Sequence, residues 1–213
     1  SESINEGETS VSNVVASDTD GDTIAYSIDS TGRADHALFS IDASTGALTM
    51  AAPDFESPTD TFGTAGDNVY GVTVKATDSG TPANTATHNI SVTVVDTNDN
   101  SPVLTAAETY SVAEGETAVG TVTTTDADAG ATFTYTLSGT DAADFTITNV
   151  DGNGVLVFKA ASTPDFETQT SYSLNVVVSD TLNTTTEAIV VNITDTNDNS
   201  PVLTAAETYS VAE

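Results

Sequence analysis

Cysteine and tryptophan are absent from this 213-residue chain, methionine occurs once, and lysine and arginine together number 3. Without cysteine there are no disulfide staples, so any folded unit must be held by its own core; the redox compartment stays open. The 3 cations face 32 Asp and Glu, a net charge of -29. That balance excludes nucleic acid and anionic membrane surfaces as partners and attracts cations. No apolar run reaches the roughly 18 residues of a spanning helix, so no membrane insertion is expected within this fragment. The chain starts at Ser1 without a charged-then-apolar leader and reads as a piece of something longer. His36 and His88 are too few and too scattered for zinc or a serine triad and read as exposed polar residues. With 6% aromatic residues, sugar-stacking platforms are scarce.

What is present is repetition. Residues 96–114 recur letter for letter at 195–213, which marks two boundaries between repeating units. Each copy opens with Asp-Thr-Asn-Asp-Asn-Ser-Pro, an oxygen-rich, proline-closed turn and a natural place for calcium. Between the boundaries the period is two. Tyr70, Val72, Val74 and Ala76 alternate with polar or small neighbours, as do Ile90, Val92 and Val94. Tyr172, Leu174, Val176 and Val178, then Ile189, Val191 and Ile193, answer in the second unit. Shorter β-patterned runs are predicted at 9–16, 23–28, 39–41, 47–50, 117–123, 132–137, 145–147 and 155–158, separated by Asp-Gly, Thr-Gly and Asn-Gly turns. About seven short strands per hundred residues, with no helical period, predict an all-β chain of tandem Greek-key, immunoglobulin-like β-sandwiches joined by the acidic linker. The expected organisation is one repeat over 1–103, a second over 104–203, and the start of a third over 204–213.

Most of the acidic residues read as solvated surface, but a subset falls at matching places in both units. Glu6 matches Glu114. Asp18-Thr19-Asp20 matches Asp126-Ala127-Asp128. Asp54-Phe55-Glu56 matches Asp165-Phe166-Glu167, and Asp78 matches Asp180. Strand and turn breaks bring these to the ends of a sandwich, where crowded like charges cost folding energy unless a cation sits among them.

This constellation resembles the cadherin repeat along essentially the whole chain. The family's linker, Asp-x-Asn-Asp-Asn-x-Pro, is met at Asp96 to Pro102 and at Asp195 to Pro201, and its early Glu, Asp-x-Asp, Asp-x-Glu and late lone Asp are met in the same order. The resemblance implies a joint holding about three calcium ions, each wanting six to eight oxygens. Carried over residue by residue, the ligands are Glu6, Asp54 and Glu56 from the first unit. Asp96, Asp99, the side-chain oxygen of Asn98 and the carbonyls of Thr97 and Asn100 come from the linker. Asp126, Asp128, Asp180 and a carbonyl near Gly130 come from the second unit. Here Ala129 displaces the glycine expected directly after the Asp-x-Asp. A weaker set is expected at Glu114, Asp165, Glu167, Asp195, Asn197, Asp198 and Asn199, and none at Asp18, Asp20 and Asp78, which lack a preceding linker.

The resemblance further implies an extracellular, cell-surface or secreted protein in which calcium stiffens successive repeats. Three roles stay open: adhesion between like molecules or to another surface protein, a passive stalk, and a polysaccharide-binding module. No enzymatic activity is expected, because the recurrent carboxylates are accounted for by metal cages. Adhesive cadherins that dock through an N-terminal tryptophan find no counterpart here, so self-association must use other surfaces. The Thr/Ala/Asp-rich surface and scarcity of lysine are similar to cadherin-type repeats of large bacterial surface proteins. Residues 57–68, extra in the first unit, are expected to form a surface loop suited to a lineage-specific contact.

Overall fold

The computed structural model describes residues 1–204. Its compact units are Ser1–Asn100 together with Asp126–Ala131, and the chain from Ser101 onward without that loop. The predicted third repeat, apart from Thr204, lies outside the described residues.

The first unit has seven strands: β1 (Glu2–Asn5), β2 (Ser10–Asn13), β3 (Ile24–Ile28), β4 (Phe39–Ile41), β5 (Ala47–Met50), β6 (Val69–Asp78) and β7 (Thr85–Val95). They form two sheets, ordered β1-β7-β6-β3 and β2-β5-β4, the strand plan of an immunoglobulin-like sandwich. Alternation gives each sheet one apolar face, and the two faces enclose Leu48, Met50, Tyr70, Val72, Val92 and Val94. β1 reads weakly as a strand because three of its four residues are polar; its ladder comes from parallel pairing with Val92 to Val95 of β7.

In the second unit the strands are β8 (Val103–Thr105), β9 (Thr109–Ala113), β10 (Ala118–Thr125), β11 (Thr134–Ser138), β12 (Phe145–Val150), β13 (Asn153–Phe158), β14 (Ser171–Ser179) and β15 (Thr184–Thr194). The plan is the same, with its first strand in two pieces. β8 pairs antiparallel with β10 in one sheet, and β9 pairs parallel with β15 in the other. The core holds Val122, Leu156, Val176 and Val191, capped by Phe145, Phe158 and Tyr172. Phe145 and Phe158 lie 4.2 Å apart and tilted, and both meet Tyr172 edge-on at 5.7 and 5.0 Å, the last two within the range of favourable aromatic pairs.

Short 3-10 turns at Ala34–Leu38, Ala142–Asp144 and Ala160–Ser162 were not expected from a pattern without helical period. Segment 57–68 also departs from a plain surface loop. Phe62 packs over Gly71 of β6, and the Arg33 guanidinium sits 4.1 Å above the Phe62 ring. A side chain at position 71 would run into that ring, so glycine is required there. Covered in this way, Tyr70 to Val74 are all buried, whereas β14 keeps the expected alternation.

Candidate metal centre

Glu6 and Glu114 sit where a strand ends in a tight turn, with Gly7 and Gly115 taking φ of +73° and +81°. The turn brings each carboxylate under the linker that follows its own last strand. Glu6 Oε2 accepts the N–H of Phe55 at 2.9 Å; Oε1 accepts the N–H and hydroxyl of Thr97 at 2.7 and 3.0 Å. Glu114 repeats this with Phe166 at 2.9 Å and with Thr196 at 2.6 and 2.9 Å. Burial pushes the Glu6 carboxyl up, but the Phe55 and Thr97 donors outweigh it and hold the group below its ordinary value. Glu114 is lowered by the Thr196 and Phe166 N–H groups in the same way.

Around Glu6 the carboxylates converge. Oxygens of Glu6, Glu56 and Asp96 lie within 4.8 Å of one another, and so do those of Glu56, Asp99 and Asp128. Asp128 accepts the backbone N–H and the side-chain amide of Asn100 at 3.1 and 2.8 Å. Asp96 accepts the Ala129 N–H at 2.6 Å, and Asp126 accepts that of Asp128 at 3.2 Å. The 126–131 loop is thereby tied to the linker within the first unit. Burial, with the charges on Glu6 and Asp96, pushes Glu56 up; desolvation, with Glu6, Asp128, Asp54 and Asp96, pushes Asp99 up.

The decisive detail is what these oxygens lack. Glu56 Oε1, Asp96 Oδ1 and Asp126 Oδ2 are shielded from solvent without a hydrogen-bond donor, an expensive condition for charged acceptors. Hard, crowded, donor-free oxygens fit a hard divalent cation with a high coordination number.

Other sequence candidates take varied places. Asp54 belongs to neither group; it is exposed and turns Oδ1 onto the N–H groups of Glu56 and Ser57 at 3.1 and 3.0 Å. Thr97 accepts the Asp99 N–H at 2.9 Å through its carbonyl, and Gly130 is exposed with φ of +78°. Asp180, 2% exposed in the second unit, accepts the N–H groups of Leu182 and Asn183 at 2.8 and 2.6 Å. In that unit Glu114, Asp165 and Glu167 lie within 4.8 Å of one another. Glu167, Asp195, Asn197 and Asn199 line a cavity of about 490 Å³ beside them. Asp198 donates its N–H to Thr196 at 2.8 Å, as Asp99 does to Thr97 at 2.9 Å. Asp18 and Asp78 are engaged by the neighbouring N–H groups of Asp20 and Asn84 at 2.8 and 2.9 Å.

Two acids outside the cluster, Asp35 and Asp60, are buried. Asp35 accepts N–H groups from Thr61, Phe62 and Gly71 and the Thr61 hydroxyl, and Asp60 accepts those of Gly66 and Asn68. Asp141 makes the corresponding bond to the Ser173 N–H of β14 at 2.6 Å. Their partners lie 26 to 36 residues away in the first unit for Asp35 and 32 away for Asp141, so no local spacing betrays them.

Residues 1–95 match the family model of the cadherin domain. The human Cadherin EGF LAG seven-pass G-type receptor 2 is 40% identical over 148 residues, 67% of this chain and 5% of the receptor. The chain belongs to the cadherin family. Human Protocadherin-23 is 34% identical over 186 residues, 84% of the chain and 5% of that protein. This cadherin chain thus spans about 5% of the length of these curated relatives. Among solved structures, the Protocadherin GammaB4 extracellular domain matches 96% of the chain and 32% of its own length with a TM-score of 0.70 and 24% identity. Mouse Cadherin-23 EC22-24 matches 92% and 64% with a TM-score of 0.69 and 24% identity. These two share the fold.

Proposed function

We propose that this cadherin tandem is a calcium-binding module of an extracellular, cell-surface or secreted protein and serves adhesion, with itself or another surface protein as partner. What supports the reading is the set of shielded, donor-free oxygens on Glu56, Asp96 and Asp126, with Glu6, Asp99 and Asp128 contributing to the same carboxylate groups. Calcium supplies a double positive charge and accepts six to eight oxygens in irregular geometry. Glu6, Glu56, Asp96, Asp99 and Asp128 would hold it, with Asn98 and Asp126 as further ligands and Asp54 at the margin. A carboxylate oxygen keeps a second lone pair after accepting one N–H, so the Glu6 bonds do not remove it from this set. Bound metal ties the linker to the loop between β10 and β11 and restrains the linker's backbone.

Calorimetric titration with calcium tests this, with about three strong ions and one or two weaker ones expected, since each needs six or more oxygens. Absence of heat at millimolar calcium overturns it. Aggregation of beads coated with the chain, with and without calcium, separates adhesion from the second reading, a passive stalk. The polysaccharide reading gains no support, because the exposed large hydrophobics among the described residues are Val and Leu, without an aromatic platform.

A further inference from the structure

The stretch between Glu56 and β6 in the first unit is longer than that between Glu167 and β14 in the second. Both stretches end on the same backbone bond. Val94 donates its N–H to the Asn68 carbonyl at 2.9 Å, and Ile193 donates to that of Thr170 at 2.9 Å, so Asn68 and Thr170 stand at matching positions. Where the second unit has a hydroxyl, the first has an amide.

Asn68 carries two unfavourable features. Its φ of +61° lies in the left-handed region that residues other than glycine enter rarely, although Asn tolerates it better than most. Its side chain is 8% exposed, and Oδ1 is shielded from solvent without a hydrogen-bond donor. Features of this kind persist only where the surroundings fix them, and they gather at functional positions. The bond the side chain does make is from Nδ2 to the Phe55 carbonyl at 2.9 Å.

That carbonyl and the Glu56 N–H are the two ends of one planar peptide unit. Asn68 grips the oxygen end, and Asp54 Oδ1 accepts the N–H end at 3.1 Å. Just before it, the Phe55 N–H is held by Glu6 Oε2 at 2.9 Å. A plane clamped at both ends fixes the direction in which the Glu56 side chain leaves the backbone. Glu56 contributes to both carboxylate groups at the linker, and its Oε1 is one of the shielded, donor-free oxygens.

We infer that Asn68 is a positioning residue for the metal site, fixing through the Phe55 carbonyl the peptide plane that aims Glu56 at the cation. This rests on the calcium reading and deepens it, since Asn68 acts through Glu56. The Asp60 carboxylate, which accepts the Asn68 N–H at 3.2 Å, braces the same segment. It is not required for the aim, because the Val94 bond holds the Asn68 backbone as well.

Calcium titration, and amide exchange in chelator, on the unsubstituted chain, Asn68→Gly and Asp60→Ala test this. Glycine adopts a positive φ freely, so Asn68→Gly removes the amide and keeps the backbone, with circular dichroism unchanged. It is expected to lose about tenfold or more in calcium affinity, the range seen when a group that orients a metal ligand is removed, and exchange at the Glu56 N–H should accelerate. Asn68→Asp, which keeps size and shape but replaces the donor by an acceptor, is expected to do the same. Asp60→Ala should melt earlier yet keep both the affinity and the slow Glu56 exchange, which a merely structural role for Asn68 would not separate. Equal affinity in the Asn68 variants and the unsubstituted chain, or a loss as large in Asp60→Ala, overturns the inference and leaves the calcium reading standing. No heat from the unsubstituted chain overturns both.

Discussion

Glu6 Oε1 accepts the N–H of Thr97 at 2.7 Å across 91 residues, and Glu114 Oε1 accepts that of Thr196 at 2.6 Å across 82. One carboxylate therefore fixes the root of the linker that leaves its own unit, twice over. Glu6→Ala removes a charged acceptor from Phe55 and Thr97 together. Hydrogen bonds to charged groups contribute about 1.5–3 kcal/mol, and a loss in that range is expected for the metal-free first unit. Urea unfolding in chelator measures it, and amide exchange at Thr97 should accelerate.

Calcium affinity is expected to fall with Asp99→Ala and Asp128→Asn. Asp60→Ala should leave it unchanged. Asp60 is not an inert control, however, since it is 3% exposed and holds the N–H groups of Gly66 and Asn68. Leaving buried donors unmet costs about 1–3 kcal/mol, so the Asp60 variant is expected to melt earlier while titrating calcium normally. Calorimetry and thermal melts on both variants decide the assignment.

Removing metal exposes a pH dependence of definite sign. Glu56 and Asp99 are raised from ordinary values of 4.5 and 3.8, so the metal-free fold disfavours their ionised forms. Their penalty is absent below those unfolded values and grows as pH rises through the folded ones. Glu6 is lowered from 4.5, so its contribution is present above 4.5 and is lost as pH falls through its folded value. The chelated first unit is expected to be most stable in mildly acidic buffer and weaker at neutral pH. Calcium should suppress the neutral loss. Melts across this range, with and without chelator, check both statements; a chelated optimum at neutral pH contradicts them.

Chelation itself is expected to lower the melting temperature. At millimolar calcium and sites with Kd of about 0.1–1 mM, each ion contributes about 0.5–1.5 kcal/mol.

Gly71→Val is expected to expel Phe62 from its seat and expose the outer face of β6. Proteolysis within 57–68 and loss of the Arg33–Phe62 contact by NMR should report it. The cores are separate, so Leu156→Ala, at a residue with 0% exposure, should cost about 2–5 kcal/mol in the second unit and leave the first unit's transition in place.

The sandwich was legible because inward residues alternate at period two wherever one sheet face is covered and the other is wet, as in β14. β6 broke that rule through Phe62 and Asp35, which arrive from segments with no strand signal. The carboxylates around Glu6 were legible as a repeated order of short motifs. Asp54 was not separable from Glu56 by sequence, because a two-residue step on a turn sends one side chain inward and its neighbour to the surface. Asp35 and Asp141 stayed hidden, since a carboxylate that caps a distant strand's N–H leaves no periodic trace. The division of the first strand into β8 and β9 is set by pairing with two different sheets, which no property of 103–113 alone encodes.

The latch from Glu6 to Thr97 consists of hydrogen bonds within the polypeptide itself. Under the proposed calcium reading, a cation reaching Glu56, Asp96 and Asp99 would meet a linker whose root Glu6 already holds, and less chain freedom would be surrendered on its arrival. The expectation for such a preset frame is fast uptake, with differences in tightness expressed in the dwell time of the ion.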